Sequence, residues 1–162
     1  MAVFVLDRKK RPLMPCSEKR ARLMLSRGRA VVHRLMPFTI RLKDRDGGAV
    51  QPVRVKLDPG SKATGVAVAR EDEAVDTKTG EAQRTAHILF LAELLHRGAA
   101  IRSALTARRA FRRRRRGANL RYRAPRFDNR RRTEGWLPPS LRHRVNTTMS
   151  WVRRLRRLAP VT

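Results

Sequence analysis

The second half of the chain carries more arginine than a self-contained globular surface can neutralise. Between Arg97 and Arg157 the sequence places 21 arginines and no lysine, against only two carboxylates, Asp128 and Glu134. Charges of one sign at this density repel one another and oppose a compact fold until a polyanion neutralises them. A guanidinium binds phosphate through two parallel hydrogen bonds and stacks on bases, which a lysine ammonium does not. Nucleic acid is therefore the leading partner.

The two halves of the chain differ in composition. Residues 1–96 hold 11 of the 13 carboxylates and alternate apolar runs with charges of both signs. A length of 162 residues suits one domain with a modest core, or a small domain with an extended basic segment. The net charge of +27 favours phosphate binding through counterion release. An anionic membrane surface is the rival partner, but the arginines do not form one polar face opposite a wide apolar face.

Cysteine content and apolar runs indicate a cytoplasmic protein with no membrane partner. Cys16 is the single cysteine, so no internal disulfide and no cysteine-based zinc cluster is expected. The opening apolar run ends at Asp7, which makes it too short for a signal peptide. No run approaches the roughly 20 apolar residues that a membrane helix requires.

Residues 1–48 predict a small basic module. Alternating apolar residues indicate strands, and Ser17 is a good N-cap with Glu18 in the first turn behind it. The expected elements are a strand at 3–6, an irregular connection around Pro12 and Pro15, a helix from Ser17 to Gly28, strands at 30–35 and 38–42, and a turn at 46–48.

Residues 49–97 predict a three-stranded antiparallel meander. Residues 53–58 alternate apolar and polar positions, and Pro59 and Gly60 then favour a tight turn into a returning strand at 64–69. A third apolar run at 87–95 would also fit a helix, but we favour a strand. Such a small sheet needs another element packed over one face.

Residues 98–118 predict a helix with arginine on most sides, and residues 119–162 predict a basic linker followed by a final amphipathic helix at 141–158. Phe111 and Trp151 lie at apolar positions of these two helices, so we expect both in the core. On the final helix one side is predicted to carry Val145, Thr148, Trp151 or Val152, Leu155 and Leu158.

The candidate nucleic-acid-binding residues belong to the arginine helix and the segment after it. They are Arg108, Arg109, Arg112, Arg113, Arg114, Arg115, Arg116, Arg121, Tyr122, Arg123, Arg126, Arg130, Arg131 and Arg132. The alternative is a solvated charge run. Apolar positions at helical spacing and interleaved aromatics, including Phe127 and Trp136, disfavour that alternative because bases stack on such rings.

Asp58 is the carboxylate with two interpretations. It ends a predicted strand, where an acid can bind Mg²⁺ beside a phosphodiester. Asp-Pro-Gly is also good turn chemistry, and the residues alone favour this second interpretation. A metal site needs further ligands from other segments, for which Glu93 is a candidate that could equally be solvated. The four histidines, His33, His87, His96 and His143, lack ligand spacing and are expected to be structural or surface residues.

Four segments, in this order, resemble the amino-terminal part of the IscB family, which are transposon-encoded RNA-guided DNA nucleases related to the CRISPR type II effectors. They are residues 3–16 with Pro-Leu-Met-Pro at 12–15, residues 56–65, residues 108–116, and residues 122–130 together with 135–141. In that family they correspond to the opening module, the first RuvC segment, the bridge helix and the stretch that follows.

The resemblance implies an α/β fold: an incomplete RNase H-like (RuvC) domain containing the meander, preceded by the small basic module and followed by the arginine-rich helix. It implies that Asp58 is a catalytic aspartate that binds Mg²⁺ as cofactor. It also implies guide RNA and target DNA as partners, held by the arginines and recognised by backbone shape. The location implied is the prokaryotic cytoplasm, with association to the nucleoid when DNA is bound.

Family members continue through a second RuvC segment, usually an HNH domain, and a third RuvC segment. We therefore expect this chain to act as the amino-terminal part of an RNA-guided DNA endonuclease that does not cleave DNA unaided, with a polypeptide that supplies the missing segments as a further partner. The alternative is a non-catalytic RNA-binding protein derived from the family, in which Asp58 is only a turn residue. A ribosomal-type basic protein explains the charge but none of the four ordered motifs.

Overall fold

The computed structural model describes residues 2–75, 82–118 and 132–162. Over these ranges the protein is a mixed α/β molecule with two sheets and three helices. The elements are β1 (Val3–Leu6), β2 (Pro12–Cys16), α1 (Glu18–Ser26), β3 (Ala30–Arg34), β4 (Thr39–Leu42), β5 (Val53–Pro59), β6 (Ala63–Val75), β7 (Ala82–Leu95), α2 (Gly98–Gly117) and α3 (Pro139–Arg156). None of the three helices is long and apolar enough to cross a membrane.

The first sheet has the strand order β2-β1-β4-β3, with β1 at its interior. β1 pairs in parallel with β4 and antiparallel with β2, and all four of its residues are buried. A strand buried on both faces reads as a continuous apolar run, as Val3–Leu6 does. Val3 and Val5 pack against Ala21 of α1, whereas Phe4 faces the second sheet.

The irregular connection predicted around Pro12 and Pro15 is wrong, because these residues lie in strand β2. β2 is an edge strand of the sheet. Proline lacks an N–H and is tolerated on an edge, where an N–H that points away from the sheet makes no ladder bond. The sequence pattern carries no information about which strand lies at an edge.

Helix α1 has the predicted cap. The Ser17 hydroxyl accepts a hydrogen bond from the Arg20 backbone N–H at 3.4 Å. The helix ends at Ser26, and Gly28 follows with φ of +68°, a left-handed conformation that glycine adopts freely. The helix predicted between Ser17 and Gly28 is confirmed.

The second sheet is the predicted antiparallel meander, in the order β5-β6-β7. The run at 87–95 is confirmed as a strand and is longer than expected, since β7 begins at Ala82. α3 packs on one face of this sheet. The buried residues there are Phe4, Val53, Val66, Val68, Leu94, Leu155, Leu158 and Ala159.

The two sheets share a core through β1. The Phe4 ring lies 5.5 Å from the Phe90 ring, between their centroids. The Ala2 backbone N–H donates to the Leu89 carbonyl at 3.2 Å, which ties the start of β1 to β7. The amino-terminal module is therefore packed directly against the meander.

Helix α2 is confirmed over Gly98–Gly117, but it has no buried residue. Phe111 is 61% exposed, so the prediction that it lies in the core is wrong. The first half of α2 lies beside the start of α3, where Leu105 and Leu141 line one groove, and Phe111 is beyond this contact. Trp151 packs against the core as predicted, whereas Val145 of α3 is 49% exposed.

Candidate nucleic-acid interface and carboxylate pair

The arginine helix α2 is the most strongly charged element that the structure describes. It carries eight arginines and no carboxylate over 20 residues, about 30 Å of helix at roughly 1.5 Å per residue. Its arginines are exposed, except that Arg116 is half-buried. The basic residues of the last turn, Arg114, Arg115 and Arg116, also complement the partial negative charge of a helix C-terminus.

The structure brings seven of the predicted nucleic-acid-binding residues onto this one element. They are Arg108, Arg109, Arg112, Arg113, Arg114, Arg115 and Arg116. Arg121, Tyr122, Arg123, Arg126, Arg130 and Arg131 lie outside the described residues, as does Phe127.

Arg132 is exposed and stacks on an aromatic ring. Its guanidinium carbon lies 3.7 Å from the centroid of the Trp136 ring, a cation–π contact. Trp136 remains 41% exposed. Arginine planes and tryptophan rings both provide surfaces for base stacking, so this pair extends the candidate interface beyond α2.

Asp58 lies in a row of three residues that crosses the second sheet. Asp58 pairs with Gly65 on β6, and Gly65 pairs with Glu93 on β7. Residues in one row point to the same face of the sheet. Asp58 and Glu93 therefore lie on one face, on either side of Gly65, which has no side chain. Two strand spacings separate them, about 9.6 Å between Cα atoms. Glu93 is thus placed beside Asp58 on the face that α3 does not cover.

The turn after Asp58 is fixed from two sides. Arg144 of α3 donates from Nη1 to the Gly60 carbonyl at 3.2 Å. A Cβ on Gly60 would overlap the Ala63 carbonyl oxygen, so this position requires glycine. At the other side His96 donates its backbone N–H to the Lys62 carbonyl at 2.8 Å. The contact of Arg144 with this turn could not be predicted from the sequence, because no local pattern links Arg144 to a turn 84 residues earlier.

The histidines make other contacts. His96 Nε2 is hydrogen-bonded to the Thr64 hydroxyl at 2.7 Å, His87 Nε2 lies 3.3 Å from an Asp72 carboxylate oxygen, and His143 Nδ1 is 3.4 Å from the Thr147 hydroxyl. Within residues 2–75, 82–118 and 132–162 no group of three or more His, Cys, Asp or Glu side chains could hold a metal ion together. Asp58 and Glu93 are therefore a pair of carboxylates and not part of a larger ligand group among these residues.

The chemistry of this pair can be compared with what a magnesium ion needs. Mg²⁺ is bound through one or two carboxylates, and phosphate oxygens and waters complete its octahedral shell. Asp58 and Glu93 are two carboxylates on one face of the sheet, and Gly65 between them has no side chain.

Two basic residues beside this pair share one carboxylate. Arg54 and Lys56 precede Asp58 on the same face of β5 and form ion pairs with Glu71 at 2.9 and 2.5 Å. The hydrogen bond from Lys56, followed by the charge of Arg54, holds the pKa of Glu71 below its ordinary value. The positive charge of β5 is therefore partly offset, whereas α2 carries eight arginines and no acid.

The model of a family described as RRXRR protein matches residues 3–162, which is nearly the whole chain. No curated protein matches it.

Proposed function

The chain belongs to the RRXRR protein family, and from this premise we propose that it is the amino-terminal part of an RNA-guided DNA endonuclease. Family membership is consistent with the RRXRR module of IscB-like nucleases. The run from Arg112 to Arg116 also satisfies the pattern that the family name spells, two arginines on each side of any residue. In this proposal α2 binds the backbone of a guide RNA and of its duplex with target DNA.

The observation that carries the proposal is the exposed arginine helix. α2 has eight arginines, no acid and no buried residue, so its charge is not compensated on the helix itself. Each phosphate that it neutralises releases about 0.7 to 0.9 of a counterion, which supplies binding free energy. Recognition of this kind reads the shape of the backbone and leaves the sequence to base pairing.

The carboxylate pair supports an RNase H-like nuclease half-site within the same proposal. The resemblance of residues 56–65 to a RuvC segment implies an antiparallel meander with an aspartate near the end of its first strand, and β5, β6 and β7 with Asp58 have this arrangement. Asp58 and Glu93 would hold Mg²⁺, which when bound activates water and stabilises charge at a scissile phosphate. Arg144 and Gly60 keep the Asp58 turn in place for this role.

The second candidate is a non-catalytic RNA-binding protein of the same family. What favours it is the small number of ligands, since the described residues offer Asp58 and Glu93 but no third carboxylate or histidine beside them. Under this alternative α2 keeps its role and Asp58 serves the turn alone. The two candidates share RNA binding and differ in whether Asp58 binds a metal for DNA cleavage and in whether the RNA guides that cleavage.

RNA binding across a salt series tests the proposal. The full chain is titrated with RNA transcribed from its own flanking locus and with an unrelated RNA of equal length, from about 50 to 200 mM salt. The test variant replaces Arg112, Arg113 and Arg115 with glutamine. The control replaces Arg8, Arg22 and Arg54 with glutamine, an equal loss of charge at positions that already pair with carboxylates.

We expect the α2 variant to bind about tenfold more weakly or worse, with a salt slope reduced by about 2, because three phosphate contacts are lost at roughly 0.7 counterion each. The control should change affinity less than threefold. Equal losses in both variants would contradict the assignment of α2. Preference for the local transcript supports the guided nuclease, whereas equal affinity for both RNAs favours the non-catalytic alternative.

A further inference from the structure

A second basic surface lies away from α2, in a groove between the first sheet and α3. The groove has a volume of about 500 Å³, and its apolar floor is formed by Leu6 and Leu158. The basic residues that line it come from three separate segments: Lys10, His33, Arg34, Arg153, Arg154 and Arg157. Arg153, Arg154 and Arg157 belong to the arginine-rich half of the chain, but none of the six is among the individual residues predicted to bind nucleic acid.

The groove is built by packing rather than by a local run of charge. Leu6 and Leu158 are buried at 2% and 4% exposure, and they line the groove from the end of β1 and from just beyond the end of α3. Lys10 has φ of +64°, and its backbone N–H donates to the Asp7 carbonyl at 3.0 Å. Lys10 therefore lies in a turn that this hydrogen bond closes. The opposite wall of the groove is formed by α3.

The lining of the groove carries a net positive charge. No carboxylate of residues 2–75, 82–118 and 132–162 lines it. Asp46 is paired with Arg8 and Lys9, and the Asp7 carboxylate, held by the backbone N–H groups of Arg11 and Gly47, adds one negative charge next to the five permanent cations of the lining. Salt bridges within the part of the chain described here involve none of the groove's lysine and arginines.

The dipole of α3 balances only part of the positive charge at this end of the groove. The C-terminal end of a helix carries roughly half a negative charge, which about one cation is enough to balance. The last turn of α3 carries Arg153, Arg154 and Arg156, and Arg157 follows at the C-cap. Most of that charge is left to act on an external anion.

We propose that this groove binds the phosphodiester backbone of a nucleic acid, as a contact separate from α2. Five permanently charged side chains line this one groove, and each can form a charge-assisted hydrogen bond with a phosphate oxygen. A single inorganic phosphate brings about two negative charges at neutral pH and cannot neutralise five cations, whereas successive phosphates of one strand can. The groove supports this assignment whether or not α2 binds RNA.

The test uses the full chain and a 20-nucleotide single-stranded RNA of mixed sequence. The groove variant replaces Arg34, Arg153 and Arg157 with glutamine, and the control replaces Arg8, Arg22 and Arg54. We expect about tenfold weaker binding and a salt slope smaller by about 2 for the groove variant. When it is combined with the α2 variant, the losses should multiply, because independent sites are additive in free energy.

A groove variant that binds as the control does would overturn the proposal, while leaving the α2 assignment untouched. Conversely, an α2 variant without effect would contradict the proposed function and leave the groove standing. The two failures are distinguishable because the two variants share no residue.

A measurement on the unaltered chain covers the case in which the triple variant fails to fold. Arginine side chains are modified with phenylglyoxal, with and without the RNA, and mapped by mass spectrometry. Arg34, Arg153 and Arg157 should be protected at least severalfold, whereas Arg22, whose side chain is 82% exposed on α1, should react in both states. Equal reaction of the groove arginines in both states would overturn the proposal. Equal protection by millimolar inorganic phosphate would overturn it too, since the groove would then be a free-anion site.

Discussion

Asp7 shows how one buried side chain organises a loop that no local pattern reveals. Its carboxylate is fully buried and accepts backbone N–H groups from Arg11 at 2.7 Å and from Gly47 at 3.1 Å. Burial acts to raise the pKa of Asp7, but the hydrogen bonds from Arg11 and Gly47 outweigh it and hold the pKa below its ordinary value. The ionised form is therefore the one that the fold stabilises.

The Asp7→Asn variant should lose stability in a pH-dependent way. A carboxyl whose pKa is lowered by folding contributes stability above its unfolded pKa of about 3.9, and that contribution is lost as pH falls through the folded pKa. The free energy of urea unfolding should therefore differ most between wild type and variant at pH 7. The difference should shrink below about pH 4.

Asp46→Asn is the matched control for Asp7→Asn, because Asp46 is the neighbour of Gly47, which donates to Asp7, and is itself partly exposed and paired with Arg8 and Lys9. Exposed pairs of this kind contribute about 0 to 1 kcal/mol. A difference between wild type and Asp7→Asn that stays constant from pH 7 to pH 3 would contradict the role of the charge.

Of the two carboxylates on the second sheet, the sequence predicts the position of Asp58 but not that of Glu93. Asp58 stands out because a strand ends there in a proline-glycine turn, and it lies where expected. Glu93 could not be placed by counting, because the face on which a strand residue lies depends on pairing register. The pairing of β6 with β7 is shifted between Val68 and Ala69, which changes the parity along the strand. Register of this kind is a tertiary property.

At the scale of elements, periodicity predicts the helices well but not what covers them. α2 and α3 are both arginine-rich helices with apolar positions at helical spacing. Only α3 lies on the meander, with Leu155 fully buried, whereas Phe111 of α2 is exposed. A hydrophobic stripe indicates that a helix can pack against a core. It does not indicate which of two such helices packs on the sheet.

Alanine substitutions in these two helices should differ in effect. Leu155→Ala removes a side chain with 0% exposure and should cost about 2 to 5 kcal/mol of unfolding free energy, through lost burial and a cavity. Phe111→Ala removes a side chain that is 61% exposed and should stay within about 0.5 kcal/mol. Urea unfolding followed by circular dichroism measures both. A loss above about 2 kcal/mol for Phe111→Ala would mean that α2 packs against the body of the protein.

At the scale of the whole molecule, composition indicates where basic modules lie, and tertiary contacts decide how they join. The Phe4 and Phe90 rings connect the two sheets, and the Lys10 turn meets α3 across the basic groove. Neither contact follows from charge counts, because each brings together residues more than 80 positions apart in the chain. The same packing that closes the core therefore gathers like charges at the surface, at a cost to stability.

Because this charge repulsion destabilises the folded chain, added salt should stabilise it. With a net charge of +27, self-repulsion opposes the folded state. The Debye length falls from about 10 Å at 0.1 M to about 3 Å at 1 M salt, so screening should raise the unfolding midpoint temperature of the free chain across this range. Replacing Arg112 to Arg116 with glutamine lowers the net charge to 27 − 5 = +22 and should reduce the rise.

Scanning calorimetry of both chains in sodium chloride measures this effect. A second experiment adds RNA to the unaltered chain. At about 100 times its dissociation constant, a single-site RNA ligand should add about 2.7 kcal/mol to the unfolding free energy. Added salt should reverse that gain, because it weakens phosphate binding while it screens the protein. A midpoint temperature that falls with salt in the free chain, or rises equally in the +22 variant, would mean that the arginines of α2 do not repel the rest of the fold.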